Sequence, residues 1–480
     1  MPALPWFRVR AAVLSTVAVW LALSFGSPCM EAGVPQDGTG AYVRQTGVAP
    51  TITARVAVSP IVESGSPQQP ALWQRAARWL LVVSLIAVLY IAVYFSSKGA
   101  VRTKFPAEPT TSPRPLHVAR NLVLGVSAFI CLDGIIFHSG LYTSILAPES
   151  YAGRLELLTR AEKRRTPSGL REVLVLGDSR MAEAFSTAMA DELASGAGLK
   201  FVSLAEPAAS VSTWYYMLRE VDPTMRRYWA IVVPYGIGYE PRTADPLRIS
   251  MVAPLLRYGD CFSFASGFER WSGRFRAFTA CILRGSAFQS DVTNFLEHPV
   301  ARIRSIQHHP KTVQSRAVYK GRNYDIVGTS YDPRTGHLTF PSRLDEAQRK
   351  AIRDSMVQPS QSEAQDFLRM QRDGIQRIVD RYSVSSTAIV LTPVPRGPFG
   401  ELPGFSMVRG AGFLRTAAKT TAFSIPEQTF EFLEKPEYYF DGYHLNAKGR
   451  QKFTETLVTE LVGCLSSVDS QPSVKSELIN

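Results

Sequence analysis

Cysteine is scarce in this chain. Five occur among 480 residues (Cys29, Cys131, Cys261, Cys281 and Cys464), and no two form a CxxC pair, which argues against a zinc site of that kind. Cys131 lies in an apolar stretch and reads as a small core or membrane residue. Cys261 and Cys281 can form a disulfide if their domain lies outside the cytoplasm, with Cys464 as a rival partner. Histidine is also scarce, and the adjacent His308 and His309 have no carboxylate cluster nearby. They read as a solvated loop, and no metal is expected. A dense Lys/Arg stripe is missing as well. The formal net charge is +12, but residues 1–150 hold 11 basic and 6 acidic residues and the remainder holds 42 and 35. An excess split in this way, without interleaved aromatics, argues against nucleic acid as a partner. Gly236-Ile-Gly238 lacks the third glycine and the following helix of a dinucleotide fingerprint, so no cofactor is expected.

Long apolar runs, by contrast, are present. Arg8 and Arg10 precede a run from Ala11 to about Phe25, so residues 1–27 read as a signal peptide or first membrane anchor. A mistaken translation start is the alternative. Residues 28–71 are rich in Pro, Gly, Ser and Thr and read as a flexible linker. Residues 72–146 read as a membrane region with helices near 79–96 and 122–145. The first is free of charge from Trp79 to Phe95, close to the minimum spanning length of about 17 residues, with aromatic residues near its ends. The second contains Asp133, either a functional residue or a protein-facing structural one, and a buried helix of the soluble domain is the alternative for the whole segment. Between the two lie Lys98, Arg102, Lys104, Arg114 and Arg120 against the single acid Glu108, which places this loop in the cytoplasm. Everything after about residue 146 is then outside the inner membrane. Arg160, Lys163, Arg164 and Arg165 pull the other way.

From residue 171 strand-like and helix-like stretches alternate, the pattern of a three-layer α/β domain. Val173 to Leu176 form a consecutive apolar run, the mark of a strand buried on both faces, and Met181 to Leu193 have the composition of a helix. Ser179 then sits at a strand-to-helix turn at the carboxyl end of a strand, where open α/β sheets place ligands and where a helix N-terminus favours negative charge. Further strands are expected at 200–205, at 229–233 ended by Pro234, and at 387–391 closed by Thr392-Pro393. Helices are expected at 211–221, 344–381 and 447–465. Residues 240–340 break the rhythm and read as a partly helical insertion, and 466–480 read as a disordered tail.

The chemistry lies in two short stretches. Gly177-Asp178-Ser179 offers a serine, and Asp441-Gly442-Tyr443-His444 sets a carboxylate and an imidazole three residues apart on a glycine-containing turn. A nucleophilic serine needs a base, histidine titrates nearest neutral pH, and a carboxylate fixes the histidine tautomer. DxxH alone is common; its pairing with a serine after the first core strand is much more specific. Arg180 beside the serine either binds an anionic substrate or caps the turn, and Arg396 at the same sheet edge is a candidate substrate contact.

At these residues the sequence resembles the SGNH (GDSL-like) hydrolase superfamily, whose first and last blocks match Gly177–Ser179 and Asp441–His444. The resemblance implies a flavodoxin-like α/β/α domain over residues 147–465 and acyl-ester chemistry through Ser179, His444 and Asp441. The GDSR form after membrane segments looks most like the membrane-tethered branch that acts on cell-envelope polymers, such as the alginate O-acetylation and teichoic-acid D-alanylation proteins. This implies an esterase or O-acyltransferase at the bacterial inner membrane, facing the periplasm or exterior. Its partners would be an envelope glycan and a multispanning membrane acyltransferase. Two blocks depart from the family. Leu204 to Ser210 lack the glycine whose N–H helps build an oxyanion hole, leaving Ala208 or Ala209 as main-chain donor. In the third block Gly236 is kept, but Gly238 stands where the family has asparagine. The alternative is a catalytically degenerate scaffold or glycan-binding component of an acylation complex.

Overall fold

The computed structural model describes residues 115–236, 245–308, 319–332, 334–356, 361–399 and 422–469. The expected anchor at 1–27, the linker at 28–71 and the helix near 79–96 lie outside the described residues. Two compact units divide the chain at Met1–Cys131 and Leu132–Asn480. The first described helix, α1 (Pro115–Asp133), continues into a π-turn at Gly134–His138. Leu124–Ser144 is long and apolar enough to cross a membrane by length and composition, with Asp133, Tyr142 and Thr143 buried within it.

Next come α2 (Tyr151–Arg164), β1 (Arg171–Val175), α3 (Ser179–Ala184), α4 (Thr187–Leu193), β2 (Leu199–Ser203), α5 (Val211–Val221) and β3 (Ala230–Tyr235). The single helix expected over 181–193 is two. Phe185 is extended, and the Ser186 side chain caps α4 by accepting from the Met189 N–H. The insertion is partly helical, with α6 (Asp245–Val252), α7 (Cys261–Ser266), α8 (Trp271–Ile282), α9 (Gln289–Glu297), α10 (Pro299–His308) and a small hairpin of β4 (Ser330–Tyr331) and β5 (Leu338–Thr339). Cys261 and Cys281 are disulfide-bonded with their Cα atoms 5.4 Å apart, joining α7 to α8, so the rival Cys464 is not their partner. The stretch 344–381 holds two helices, α11 (Glu346–Ser355) and α12 (Gln361–Tyr382). Then follow β6 (Ala388–Pro393), β7 (Ala422–Ser424) and α13 (Ala447–Asp469), which runs four residues past the expected end at 465.

The fold is α/β. Five strands form one parallel sheet in the order β2-β1-β3-β6-β7. Val173, Leu174, Val175 and Leu176 are all fully buried, as an uninterrupted apolar run predicts. Alternate residues point to opposite faces: Leu174, Ile231 and Val233 pack with α2, α5 and α12, while Val173, Val175 and Val232 pack with α3, α4 and α13.

The strands β3 and β6 do not stop at their prolines. Val232 accepts from the Leu176 N–H, so Pro234, two residues on, faces β1, whose pairing with β3 has ended at Val175. The missing N–H therefore costs no ladder bond. Pro393 stands in the same relation to β7, which pairs with β6 only as far as Leu391. The chain order reverses between β1 and β3, and that crevice at the carboxyl ends of the strands receives Ser179.

Candidate active site

The serine is set by a tight turn. A Cβ on Gly177 would lie 2.2 Å from the Met181 Cβ, so only glycine lets the chain turn this closely into α3. The Gly177 carbonyl accepts from the Trp214 indole N–H and the Glu206 N–H, each at 3.1 Å. Asp178 caps α3 by accepting from the Arg180 N–H at 3.0 Å, and Ser179 is the first helical residue. Because α3 has six residues, its dipole contributes less to the site than a long helix would.

The expected base arrives from the other end of the domain. His444 Nε2 lies 2.8 Å from Ser179 Oγ, and His444 Nδ1 lies 2.7 Å from Asp441 Oδ2. The other Asp441 oxygen accepts from the Tyr443 and His444 backbone N–H groups at 3.0 and 2.7 Å. The imidazole stacks on Phe440, with ring planes 10° apart, and meets the Tyr443 ring at 4.4 Å. Burial alone pulls the imidazole pKa down. The Asp441 carboxylate, with smaller contributions from Glu183 and Asp178, outweighs this, so His444 titrates above the ordinary value of 6.5. Burial pushes the Tyr443 phenol up to about 12, so it stays neutral.

The loop after β2 supplies the second wall. Fully buried Glu206 lies 3.0 Å from Arg154 Nε of α2, an ion pair that ties the loop to that helix. Ala209 donates its N–H to the Glu206 carbonyl at 3.0 Å and is committed to the turn. Ala208 has φ +61°, a left-handed conformation that costs an alanine about 1–2 kcal/mol, and its N–H has no hydrogen-bond partner among the described residues. Of the two expected main-chain donors, Ala208 is the one left available.

A cavity of about 680 Å³ opens over Ser179 and His444, lined also by Ala208, Ala209, Arg180 and Arg396, and it extends to Phe268 and Arg377. The two arginines hold acidic partners there. Arg180 Nη2 lies 3.0 Å from Asp178 Oδ2, the carboxylate that caps α3, and its side chain borders the cavity. Arg396 is clamped by Glu434, with Nε 2.9 Å from Oε1 and Nη2 2.7 Å from Oε2. Its charge is already compensated, which weakens it as an anion contact. Gly236 does not line the cavity. It takes φ +138°, which glycine alone adopts readily, and its carbonyl accepts from Gln371 Nε2 at 3.1 Å. Gly238 lies outside the described residues.

Two residues absent from the sequence reading belong to this site. Ser355 Oγ, at the end of α11, accepts the Gly442 N–H at 2.7 Å and holds the Asp441–His444 turn. Gln371 on α12 is buried, borders the cavity and holds Gly236. No motif marks either one, because each acts through a contact formed only on folding. Among the described residues no cluster of His, Cys, Asp or Glu could hold a metal ion; His308 ends α10 and His309 lies outside the described residues. No family model and no curated protein matches this chain, so the geometry of the site carries the functional reading.

Proposed function

We propose that the protein is a membrane-anchored acyl-ester hydrolase or O-acyltransferase of SGNH type, acting on an exported or cell-envelope polysaccharide. The observation that carries this is the hydrogen-bonded chain from Ser179 through His444 to Asp441 at a solvent-open cavity. The strand order β2-β1-β3-β6-β7 supports the flavodoxin-like, three-layer form of the fold. The apolar segment Leu124–Ser144 supports the membrane tether, and the disulfide between Cys261 and Cys281 supports a periplasmic or external location.

In this mechanism Ser179 Oγ attacks the acyl carbonyl carbon while His444 Nε2 takes its proton. Asp441 keeps the proton on Nδ1 and stabilises the imidazolium. The developing oxyanion meets the Ala208 N–H, a preorganised donor of the kind worth about 10²–10³ in rate. Collapse of the tetrahedral species breaks the ester C–O bond, and His444 protonates the departing alkoxide. Water or a glycan hydroxyl then enters, is deprotonated by His444 and carries the acyl group away. A multispanning acyltransferase is the expected supplier of acyl groups from across the membrane.

Incubation with an aryl acetate tests this. The account expects an acetyl adduct on the peptide that carries Ser179, released faster when an oligosaccharide acceptor is added. A scaffold without acyl chemistry, the reading favoured by Gly238 in the asparagine position, forms no adduct.

A further inference from the structure

Helix α8 is amphipathic in an unusual sense. Its inward face is built from small residues, with Gly273, Ala277, Ala280 and Cys281 buried. Its outward face carries Trp271 and Phe275 one turn apart, and half-buried Phe278 continues the line at i+7. Trp271 is 78% exposed and Phe275 60%, and Phe262 of α7, 79% exposed, extends the stripe with its ring 5.0 Å from that of Phe278. Large aromatic side chains left in water as a contiguous stripe mark a docking surface.

The occupant follows from where α8 ends. His138 Nε2 lies 3.3 Å from the carbonyl of Ile282, the last residue of α8. Immediately beyond, the two Asp133 carboxylate oxygens accept the Arg284 and Gly285 N–H groups at 2.8 Å each. Asp133 and His138 both belong to the apolar segment Leu124–Ser144. The C-terminal end of α8 therefore meets that segment, and the aromatic stripe begins about one turn back at Phe278 and runs about 10 Å away from it to Trp271. Exposed Arg270, Arg274 and Arg276 flank it. Tryptophan and phenylalanine with arginines alongside suit the headgroup zone of a bilayer with anionic lipids, where rings enter the interface and guanidinium groups reach phosphates.

We propose that α8 lies on the bilayer surface beside the span and inserts Trp271, Phe275 and Phe262 among anionic-lipid headgroups. This rests on the reading of the apolar helix that ends at Asp133 as a membrane span whose outer end, at Asp133 and His138, meets the domain. Docking would hold the domain in one orientation, with the cavity wall formed by Phe268 and Arg274 near the membrane.

The test uses the full chain in nanodiscs of phosphatidylcholine and phosphatidylglycerol, with and without bromine atoms on the upper acyl chains. Subtracting the fluorescence of Trp271→Phe from that of the unaltered protein isolates Trp271, and this conservative exposed substitution leaves folding intact. The proposal expects the Trp271 signal to fall at least twofold in brominated discs. An unquenched Trp271 in protein that stays with the discs overturns it. So does a Trp271 shielded from aqueous iodide but untouched by bromine, which would mark a second copy or another protein as the occupant. Release of the protein from the discs at alkaline pH would overturn the span and the proposal with it.

Discussion

His444 Nε2 lies 2.8 Å from Ser179 Oγ across 265 residues of sequence. The contact joins the turn after the first core strand to the turn before the last helix. Replacing the serine removes the nucleophile and little else. Ser179→Ala is expected to lower aryl-ester turnover by at least about 10³-fold with an unchanged circular-dichroism spectrum. Steady-state hydrolysis of the purified protein measures it.

The pH profile follows from His444. The base must be neutral, and its pKa is raised above 6.5 chiefly by Asp441 prevailing over burial. Activity is therefore expected to rise with pH through an inflection above 6.5. Asp441→Asn removes the charge, so the inflection moves to lower pH while kcat falls by about 10⁴-fold. Stability runs the opposite way. A raised folded pKa favours the protonated fold, so this contribution is complete below 6.5 and is lost as pH rises through the pKa of His444. Rate profiles of both proteins between pH 5 and 9 test the kinetic half, and thermal melts over the same range test the other.

Ala208 offers a more pointed prediction. At φ +61° it holds a conformation that glycine accepts at lower cost. Ala208→Gly is expected to keep activity within a few-fold, because the donor is main-chain, and to leave the melting temperature unchanged or higher. A large loss of activity would mean the methyl group, and not the N–H, matters there.

Ser355 acts through Gly442. A Cβ on Gly442 would fall 2.3 Å from Ser355 Oγ, and Ser355 accepts the Gly442 N–H at 2.7 Å. Ser355→Ala should cost about 1 kcal/mol in stability and lower kcat more than it raises KM, since it loosens the turn that aims His444. Denaturant melts and Michaelis–Menten curves separate the two effects.

The disulfide closes a loop with a sequence separation of 20, for which chain entropy gives about 3 kcal/mol of stabilisation. Reduction, or Cys261→Ser with Cys281→Ser, should lower the unfolding midpoint in urea by a corresponding amount.

Much of this was legible in the sequence, and the misses have physical causes. The strand before Ser179 could be read because burial on both faces leaves an unbroken apolar run, and the triad could be read because two short motifs coincide. Pro234 and Pro393 looked like strand ends. Their harmlessness depends on which neighbour their nitrogens face, a property of the sheet and not of the chain. The clamping of Arg396 by Glu434, and the parts played by Ser355 and Gln371, depend on contacts between segments that no local pattern encodes. Ala208 shows the same limit, since an alanine in a left-handed turn carries no compositional signal.

The central claim is that Ser179 is an activated nucleophile. Labelling with a fluorophosphonate, read by intact mass and peptide mapping, tests it most directly. The account predicts one adduct per chain, on Ser179, abolished in Ser179→Ala and strongly slowed in His444→Ala. No adduct on the unaltered protein, or equal labelling of Ser179→Ala, would contradict it.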